Sequence, residues 1–188
     1  VFRKYAKHDV HNASTKKVGF IGSLDPRFDI DTVEYAVEQL PDFVFEFTGD
    51  MRNNKMKTRL EKYENVQFFD PVQPNDVPQL LAQYDVGIIP YIVNEVNKNI
   101  YPLKINEYLA VGVPVVMNAF ASLPEFDGLV SVAMHKDDFV NKLKWEVEND
   151  SASKIKRRED FASNNSWEAR TETFAGFIEQ VIAKLQIK

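Results

Sequence analysis

Short apolar segments alternate with longer amphipathic segments along the whole of this 188-residue chain. The apolar segments are rich in Val, Ile and Phe and are bounded by Gly, Pro or Asp, which is typical of buried strands in a parallel sheet. The predicted strands are residues 18–21, 43–48, 66–69, 86–89, 114–117 and 129–133.

The intervening segments carry apolar residues at helical spacing. Residues 29–40, for example, have an apolar side chain every three or four positions and stop at Pro41. The predicted helices are residues 29–40, 55–63, 78–84, 137–148, 152–162 and 167–185, with a further short helix opening at Pro102. Strands that alternate with helices form right-handed βαβ units, so we expect an α/β, Rossmann-like domain with a parallel sheet of about six strands and helices on both faces.

Composition narrows the class of protein. With 44% hydrophobic residues and no apolar run near the roughly 20 residues of a spanning helix, no transmembrane segment is expected. The 23 basic and 28 acidic residues give a net charge of -5, which argues against a nucleic-acid surface. The absence of cysteine excludes disulfides, thiolate catalysis and Cys-based zinc sites, and it fits a reducing compartment, so we expect a cytoplasmic protein.

The chain begins at Val1 with a basic, polar segment that lacks the apolar core of a signal peptide. We therefore interpret it as a piece of a longer protein whose missing part lies upstream. Residues 1–16 are expected to be a linker, or the end of an interdomain segment, and residues 17–188 a single domain that ends in a long helix.

The segment with the most candidate chemistry runs from Pro102 to Val116. Pro102 suits the first position of a helix, and Gly112 ends it. Lys104 would then lie in the first turn, where free N–H groups and the helix dipole favour an anion. Glu107 is three residues further on and shares that face. Taken alone, the two side chains are explained better by an ordinary surface ion pair, which is the commoner role of such a pair.

The string Pro-x-Lys-x-x-Glu-Tyr-Leu-Ala-x-Gly-x-Pro-Val-Val at residues 102–116 resembles the nucleotide-sugar-binding half of glycosyltransferases with the two-domain GT-B architecture, the group 1 or family 4-like enzymes. Further landmarks follow the family's order at residues 17–22, 68–72, 85–91 and 165–168. The resemblance implies one half of a GT-B fold, the C-terminal domain that binds the donor, UDP-sugar or GDP-sugar.

In such an enzyme the glycosyl group passes to an acceptor held by the N-terminal domain, which is absent here. The resemblance therefore implies a glycosyltransferase of polysaccharide biosynthesis whose isolated domain is inactive and whose partners are a nucleotide sugar and the missing domain. It also implies that no metal ion or cofactor takes part.

The resemblance assigns roles to particular residues. Glu107 would hold the ribose hydroxyls, and Lys104, the single catalytic residue expected, would offset the charge on the departing nucleoside diphosphate. The backbone at Val72 would read the base. The other candidate donor-binding residues are Gly22, Ser23, Asn99, Ile100, Tyr101 and Leu103.

Two positions depart from the family pattern. Asn99 stands eight residues before Glu107, where the common retaining pattern has a glutamate, and Ser23 follows Gly22, where many members have an arginine. Two other functions therefore stay open: a degenerate, non-catalytic nucleotide-binding module, and a sugar-nucleotide epimerase of the same architecture.

Several other residues are better explained by structural roles. Asp29 and Asp31 have the Asp-x-Asp spacing of a metal site, but they open a helix, where carboxylates cap free N–H groups. Trp167, which follows a predicted N-cap at Ser166, is interpreted as a packing anchor. The three histidines lie apart from any second ligand and predict neither zinc nor an activated nucleophile: His8, His11 and His135.

Overall fold

All six predicted strands form, and each pairs in parallel with its neighbours in one sheet. The computed structural model describes residues 2–6, 15–50 and 54–186. The strands are β1 (Lys16–Ile21), β2 (Phe43–Thr48), β3 (Val66–Phe69), β4 (Val86–Ile89), β5 (Val115–Asn118) and β6 (Val130–Ala133). Their order is β3-β2-β1-β4-β5-β6, so the direction in which strands are added reverses between β1 and β4.

The predicted helices are also present. They are α1 (Ile30–Gln39), α2 (Asn54–Leu60), α3 (Val77–Leu81), α4 (Lys104–Ala110), α5 (Lys136–Glu148), α6 (Ala152–Asn164) and α7 (Trp167–Gln186). α1 packs against α5, and α4 packs against α6. Because every residue of β4 and β5 is buried, these helices cover the centre of the sheet on both faces. The Rossmann-like α/β fold predicted from the sequence is confirmed.

Two helices end earlier than their sequence pattern predicts. α2 ends at Leu60, and the hydroxyl of Tyr63 beyond it donates to Glu34 and Glu38 on α1. α3 ends at Leu81, and Tyr84 beyond it is fully buried. In both places an aromatic side chain beyond the helix end makes a tertiary contact, Tyr63 with α1 and Tyr84 with Gly19 of β1.

The ends of β1 and β2 rest on an aromatic cluster. The rings of Phe20 and Phe28 meet edge to face with centroids 5.1 Å apart, and Phe28 meets Phe47 in the same way at 6.0 Å. Such edge-to-face pairs are favourable beyond the apolar area they bury. The cluster fixes the loop that follows β1 against the sheet, at the edge where parallel strands of this topology bind ligands.

A buried ion pair ties α6 to the end of α4. Arg158 is 3% exposed; it makes two hydrogen bonds of 2.7 Å to Asp150, and its Nε donates to the carbonyl of Gly112 at 2.9 Å. Gly112 directly follows the last turn of α4, so this contact supports the helix that carries Lys104 and Glu107.

α7 exposes most of its apolar side chains. The large apolar residues at its surface are Trp167, Phe174, Phe177, Ile178, Val181, Ile182 and Leu185. No helix within the described residues has the length and apolar character needed to cross a membrane.

Replacing Arg158 by Leu is expected to lower the free energy of unfolding by about 3 kcal/mol, because Asp150 is left as a buried charge without its partner. The matched control is Lys156→Leu, which removes an exposed ion pair on the same helix and should change stability by about 0.5 kcal/mol or less. Urea unfolding measures both. A loss below about 1 kcal/mol for Arg158→Leu would contradict the assigned role.

Candidate functional site

The candidate site lies at the carboxyl edge of the sheet, between β1 and β4, where the strand order reverses. The loops that leave these two strands are joined by an antiparallel bridge between Phe28 and Tyr91, and the amide of Ile92 donates to the carbonyl of Arg27 at 2.8 Å. α4 lies beside this edge and supplies the candidate charged side chains.

Lys104 lies directly against the backbone of Gly22. A Cβ added to Gly22 would sit 2.7 Å from Cε and 2.9 Å from Nζ of Lys104. Gly22 has a φ of +149°, which L side chains rarely adopt, and its amide donates to the carbonyl of Thr48 at 2.8 Å. The backbone that follows β1 therefore carries no side chain at Gly22, and the ammonium group of Lys104 lies beside it. The structure thus brings together two residues predicted from separate motifs.

α4 itself is shorter than the sequence predicts. It begins at Lys104, two residues after Pro102, and it spans seven residues with no side-chain cap at its N-terminus. So short a helix carries little macrodipole, and the helix N-terminus is a weaker anion-binding feature than the motif predicts. The positive charge of Lys104 is therefore the main feature of this site that attracts an anion.

Glu107 is half-buried, and none of the described residues forms an ion pair or a hydrogen bond with its carboxylate. The surface pair with Lys104, one explanation that the sequence allowed, does not form. Burial raises the pKa of Glu107, and the charge of Lys104 opposes this effect. Glu107 is thus a carboxylate that loses hydration on folding and gains no partner among the described residues.

A cleft of about 620 Å³ opens beside Glu107. The α4 face formed by Leu103, Asn106, Glu107 and Ala110 lines one side. The opposite side comes from α6 and the start of α7, including Trp167 and Arg170. Trp167 is 73% exposed, so it is not a packing anchor among the described residues, contrary to the prediction: it lines the edge of this cleft.

Tyr101 is held by polar contacts from two helices. Its hydroxyl accepts hydrogen bonds from Nδ2 of Asn106 and from Nη2 of Arg170, both at 3.1 Å. Its ring packs on Phe126 with centroids 5.7 Å apart. In this structure Tyr101 therefore connects α4 to α7.

The segment before Tyr101 is more regular than its polar composition predicts. The polar composition of residues 94–99 is typical of a mobile loop, but Asn97–Asn99 form a 3-10 turn. The side chain of Asn94 accepts from the amide of Asn97 at 2.8 Å, and Asn97 donates to the carbonyl of Ile92 at 2.8 Å. Asn99 is exposed on this turn, and Ile100 packs partly against the core.

The remaining predicted residues lie further along the same edge. Ser23 is half-buried beside Gly22. Val72 is 37% exposed in the loop after β3, the edge strand, which β2 separates from β1. At about 4.8 Å per strand, the end of β3, from which this loop leaves, lies roughly 10 Å from the end of β1.

One charged pair was missed by sequence reasoning. Asp25 and Arg27 form an ion pair within the loop after β1, and the Arg27 guanidinium lies 5.3 Å from the centroid of the Tyr91 ring. The hydrogen bond from Arg27 lowers the pKa of Asp25, and the charge of Lys104 adds to this effect. The signal in the sequence was the Asp-Pro-Arg turn, which places an arginine four residues after Ser23.

Asp29 caps α1, as its position predicts. Its Oδ1 accepts from the amide of Thr32 at 3.1 Å, and its Oδ2 accepts from Asn118 at 3.1 Å. Asp31 instead pairs with Arg59. No group of three potential metal-ligating side chains occurs in the parts of the chain that the structure describes.

His135 and Ser166 each cap a helix. His135 caps α5 by accepting from the amide of Asp138 at 3.2 Å. Ser166 accepts from the amide of Ala169 at 3.2 Å, which confirms the predicted N-cap of α7. His8 and His11 lie outside the described residues.

The fold and the edge just described define an α/β domain with a ligand crevice at its topological switch point. Among solved structures, Anabaena HepE in complex with UDP and glucose is similar over 89% of this chain and 49% of that one, with a TM-score of 0.69 and 15% identity. The UDP-forming α,α-trehalose-phosphate synthase of Burkholderia vietnamiensis is similar over 93% of this chain and 46% of that one, with a TM-score of 0.67 and 15% identity.

The sequence comparisons identify the family. The family model described as glycosyl transferases group 1 matches residues 15–149. The chain therefore belongs to that family, and its fold is one Rossmann-like half of the GT-B architecture. The chain is also 37% identical over 101 residues to TuaH of Bacillus subtilis strain 168, whose name assigns it to teichuronic acid biosynthesis as a glycosyltransferase. This match covers 53% of the chain and 25% of TuaH.

Replacing Glu107 by Gln is expected to stabilise the chain relative to the wild type as the pH rises. Between 4.5, the ordinary pKa of the group, and its raised value in the folded chain, the folded state holds a proton that the unfolded state has lost. The wild type therefore loses stability as the pH rises through this window, whereas the Gln variant has no such group to titrate.

Urea midpoints of both proteins from about pH 4 to pH 7 test this prediction, because the other titrating groups cancel in the difference. A difference that does not change with pH, or that favours the wild type at higher pH, would show that Glu107 has a partner in solution.

Proposed function

We propose that this chain is the donor-binding domain of a glycosyltransferase that takes a nucleoside diphosphate sugar. The observation that supports this most strongly is the contact of the Lys104 ammonium with the bare backbone of Gly22, combined with the unpaired carboxylate of Glu107 one turn further along α4. A cation beside backbone that carries no side chain suits a diphosphate, and a carboxylate without a partner among the described residues suits two vicinal hydroxyls.

In this proposal Glu107 accepts hydrogen bonds from the ribose hydroxyls. The diphosphate lies between Gly22 and Lys104, and the base reaches towards the loop that contains Val72. As the bond between the sugar and the diphosphate breaks, negative charge grows on the leaving group, and Lys104 stabilises it in place. We propose that this charge suffices without a metal ion or another cofactor.

The acceptor belongs, in this proposal, to an N-terminal GT-B domain. The chain spans about half the length of the solved relatives that it matches, 49% in HepE and 46% in the trehalose-phosphate synthase. The exposed apolar face of α7 is a suitable surface for contact with a further domain, since large exposed apolar faces usually mark interaction sites. A cysteine-free composition fits a cytoplasmic location.

UDP is the first donor nucleotide to test. HepE was solved with UDP and glucose, and the synthase is named as UDP-forming. The proposal otherwise leaves UDP-sugar and GDP-sugar as alternatives, because the base would be read by backbone near Val72, on an exposed loop.

Titration of the 188-residue chain with UDP, GDP, ADP and dTDP is expected to find one nucleotide bound selectively. Glu107→Ala should raise the dissociation constant about 10- to 100-fold, since hydrogen bonds to a charged group are worth about 1.5–3 kcal/mol. Lys104→Ala should raise it about tenfold for the nucleoside diphosphate and leave the nucleoside unaffected. NMR titration detects binding even when it is weak.

The matched control is Lys144→Ala, which removes an exposed lysine on α5. It should leave every dissociation constant unchanged. Absence of binding at millimolar nucleotide, or equal effects of Lys144→Ala and Lys104→Ala, would contradict the proposal.

A protein that joins this chain to an N-terminal GT-B domain is expected to release UDP only when an acceptor is glycosylated, and to do so in EDTA. Lys104→Ala should lower kcat about 100-fold, the scale expected for losing one stabilising group at a leaving oxyanion. An epimerase would convert the donor sugar without an acceptor. A degenerate module, which the departures at Asn99 and Ser23 would then explain, would bind the nucleotide and transform nothing.

A further inference from the structure

Tyr108 occupies the point where β1 and β4 separate. Over the described strands, the pairing of β1 with β4 joins Val18 to Val86 and Gly19 to Gly87 and goes no further, whereas β1 stays paired with β2 as far as Ile21. The two strands therefore diverge after Gly19 and open the crevice whose mouth is Gly22.

The hydroxyl of Tyr108 replaces the missing strand pairing. It donates to the carbonyl of Gly19 at 3.0 Å and accepts from the amide of Ile21 at 3.4 Å. Residues 19 and 21 present these groups on the same side of β1, towards β4. A buried backbone N–H and C=O need partners, and one side-chain hydroxyl serves both.

The ring of Tyr108 is fixed as firmly as its hydroxyl. The side chain is 1% exposed, and a Cβ on Gly87 would lie 2.5 Å from two atoms of its ring. The ring of Tyr108 can therefore pack directly on the sheet only because Gly87 of β4 has no side chain. Lys104 precedes Tyr108 by one helical turn, and Gly22 directly follows Ile21.

We propose that Tyr108 is a positioning residue for the donor site: its hydroxyl fixes the end of β1 to α4 and thereby sets the spacing between Gly22 and Lys104 that a diphosphate must fit. This inference rests on the proposed function. Without the hydroxyl, the ring still anchors α4, so Glu107 keeps its place, but the last residues of β1 lose their link to the helix.

The test is Tyr108→Phe in the 188-residue chain, titrated by NMR with UDP and with uridine. The dissociation constant for UDP is expected to rise about tenfold, the effect of one poorly placed charge-assisted contact, whereas that for uridine stays unchanged. The nuclear Overhauser contact between Gly22 Hα and Lys104 Hε should weaken, and amide exchange at Ile21 should accelerate.

Tyr84→Phe is the matched control, because Tyr84 is a fully buried tyrosine whose ring packs on Gly19 and which lies outside α4. It should leave the UDP-to-uridine ratio and the Gly22–Lys104 contact unchanged. Thermal unfolding of both variants shows whether their stabilities are comparable.

Equal losses for UDP and uridine, an unchanged Gly22–Lys104 contact in Tyr108→Phe, or the same selective loss in Tyr84→Phe would overturn the inference. If the wild-type chain binds no UDP, the proposed function fails separately. The Overhauser contact in the unliganded variants then still decides whether Tyr108 sets the spacing.

Discussion

The absence of side chains at two central strand positions determines how closely the neighbouring residues approach the sheet. Gly19 and Gly87 lie side by side in β1 and β4, and the rings of Tyr84 and Tyr108 occupy the space that their Cβ atoms would fill. Glycine in a strand costs conformational entropy and often marks a close approach of another group. Here Gly87 allows α4 to pack close enough to the sheet for Lys104 to contact the end of β1.

The same approach places a carboxylate in an unfavourable environment. Glu107 loses hydration on folding, and no hydrogen bond from the described residues compensates for it. A buried charge without a hydrogen-bonding partner lowers the stability of the folded chain. Such a charge at a crevice is therefore typical of a functional site. The support for α4 lies elsewhere, in the buried Arg158–Asp150 pair that holds the carbonyl of Gly112. Stability and binding thus depend on opposite ends of the same short helix.

Much of this arrangement could be predicted from the sequence, because it follows from local patterns. The alternation of apolar and amphipathic segments predicts the parallel sheet, the positions of Asp29 and Ser166 predict two caps, and the string at residues 102–116 identifies the family. Each of these signals is complete within a few consecutive residues.

What could not be predicted depends on contacts between distant segments. Trp167 follows a helix cap, as a packing residue would, yet whether a partner covers its ring depends on how α6 and α7 are placed. The 3-10 turn at Asn97–Asn99 depends on amide contacts that a polar composition does not specify. The role of Gly87 becomes visible only when Tyr108, 21 positions further along the chain, is seen against it.

A crystal structure of this chain with UDP tests the central claim most directly. The account predicts the diphosphate between the backbone of Gly22 and the ammonium of Lys104, with both ribose hydroxyls within hydrogen-bonding distance of Glu107. A UDP molecule whose diphosphate lies elsewhere, for example in the cleft beside Trp167 and Arg170 with Lys104 free of contact, would contradict it.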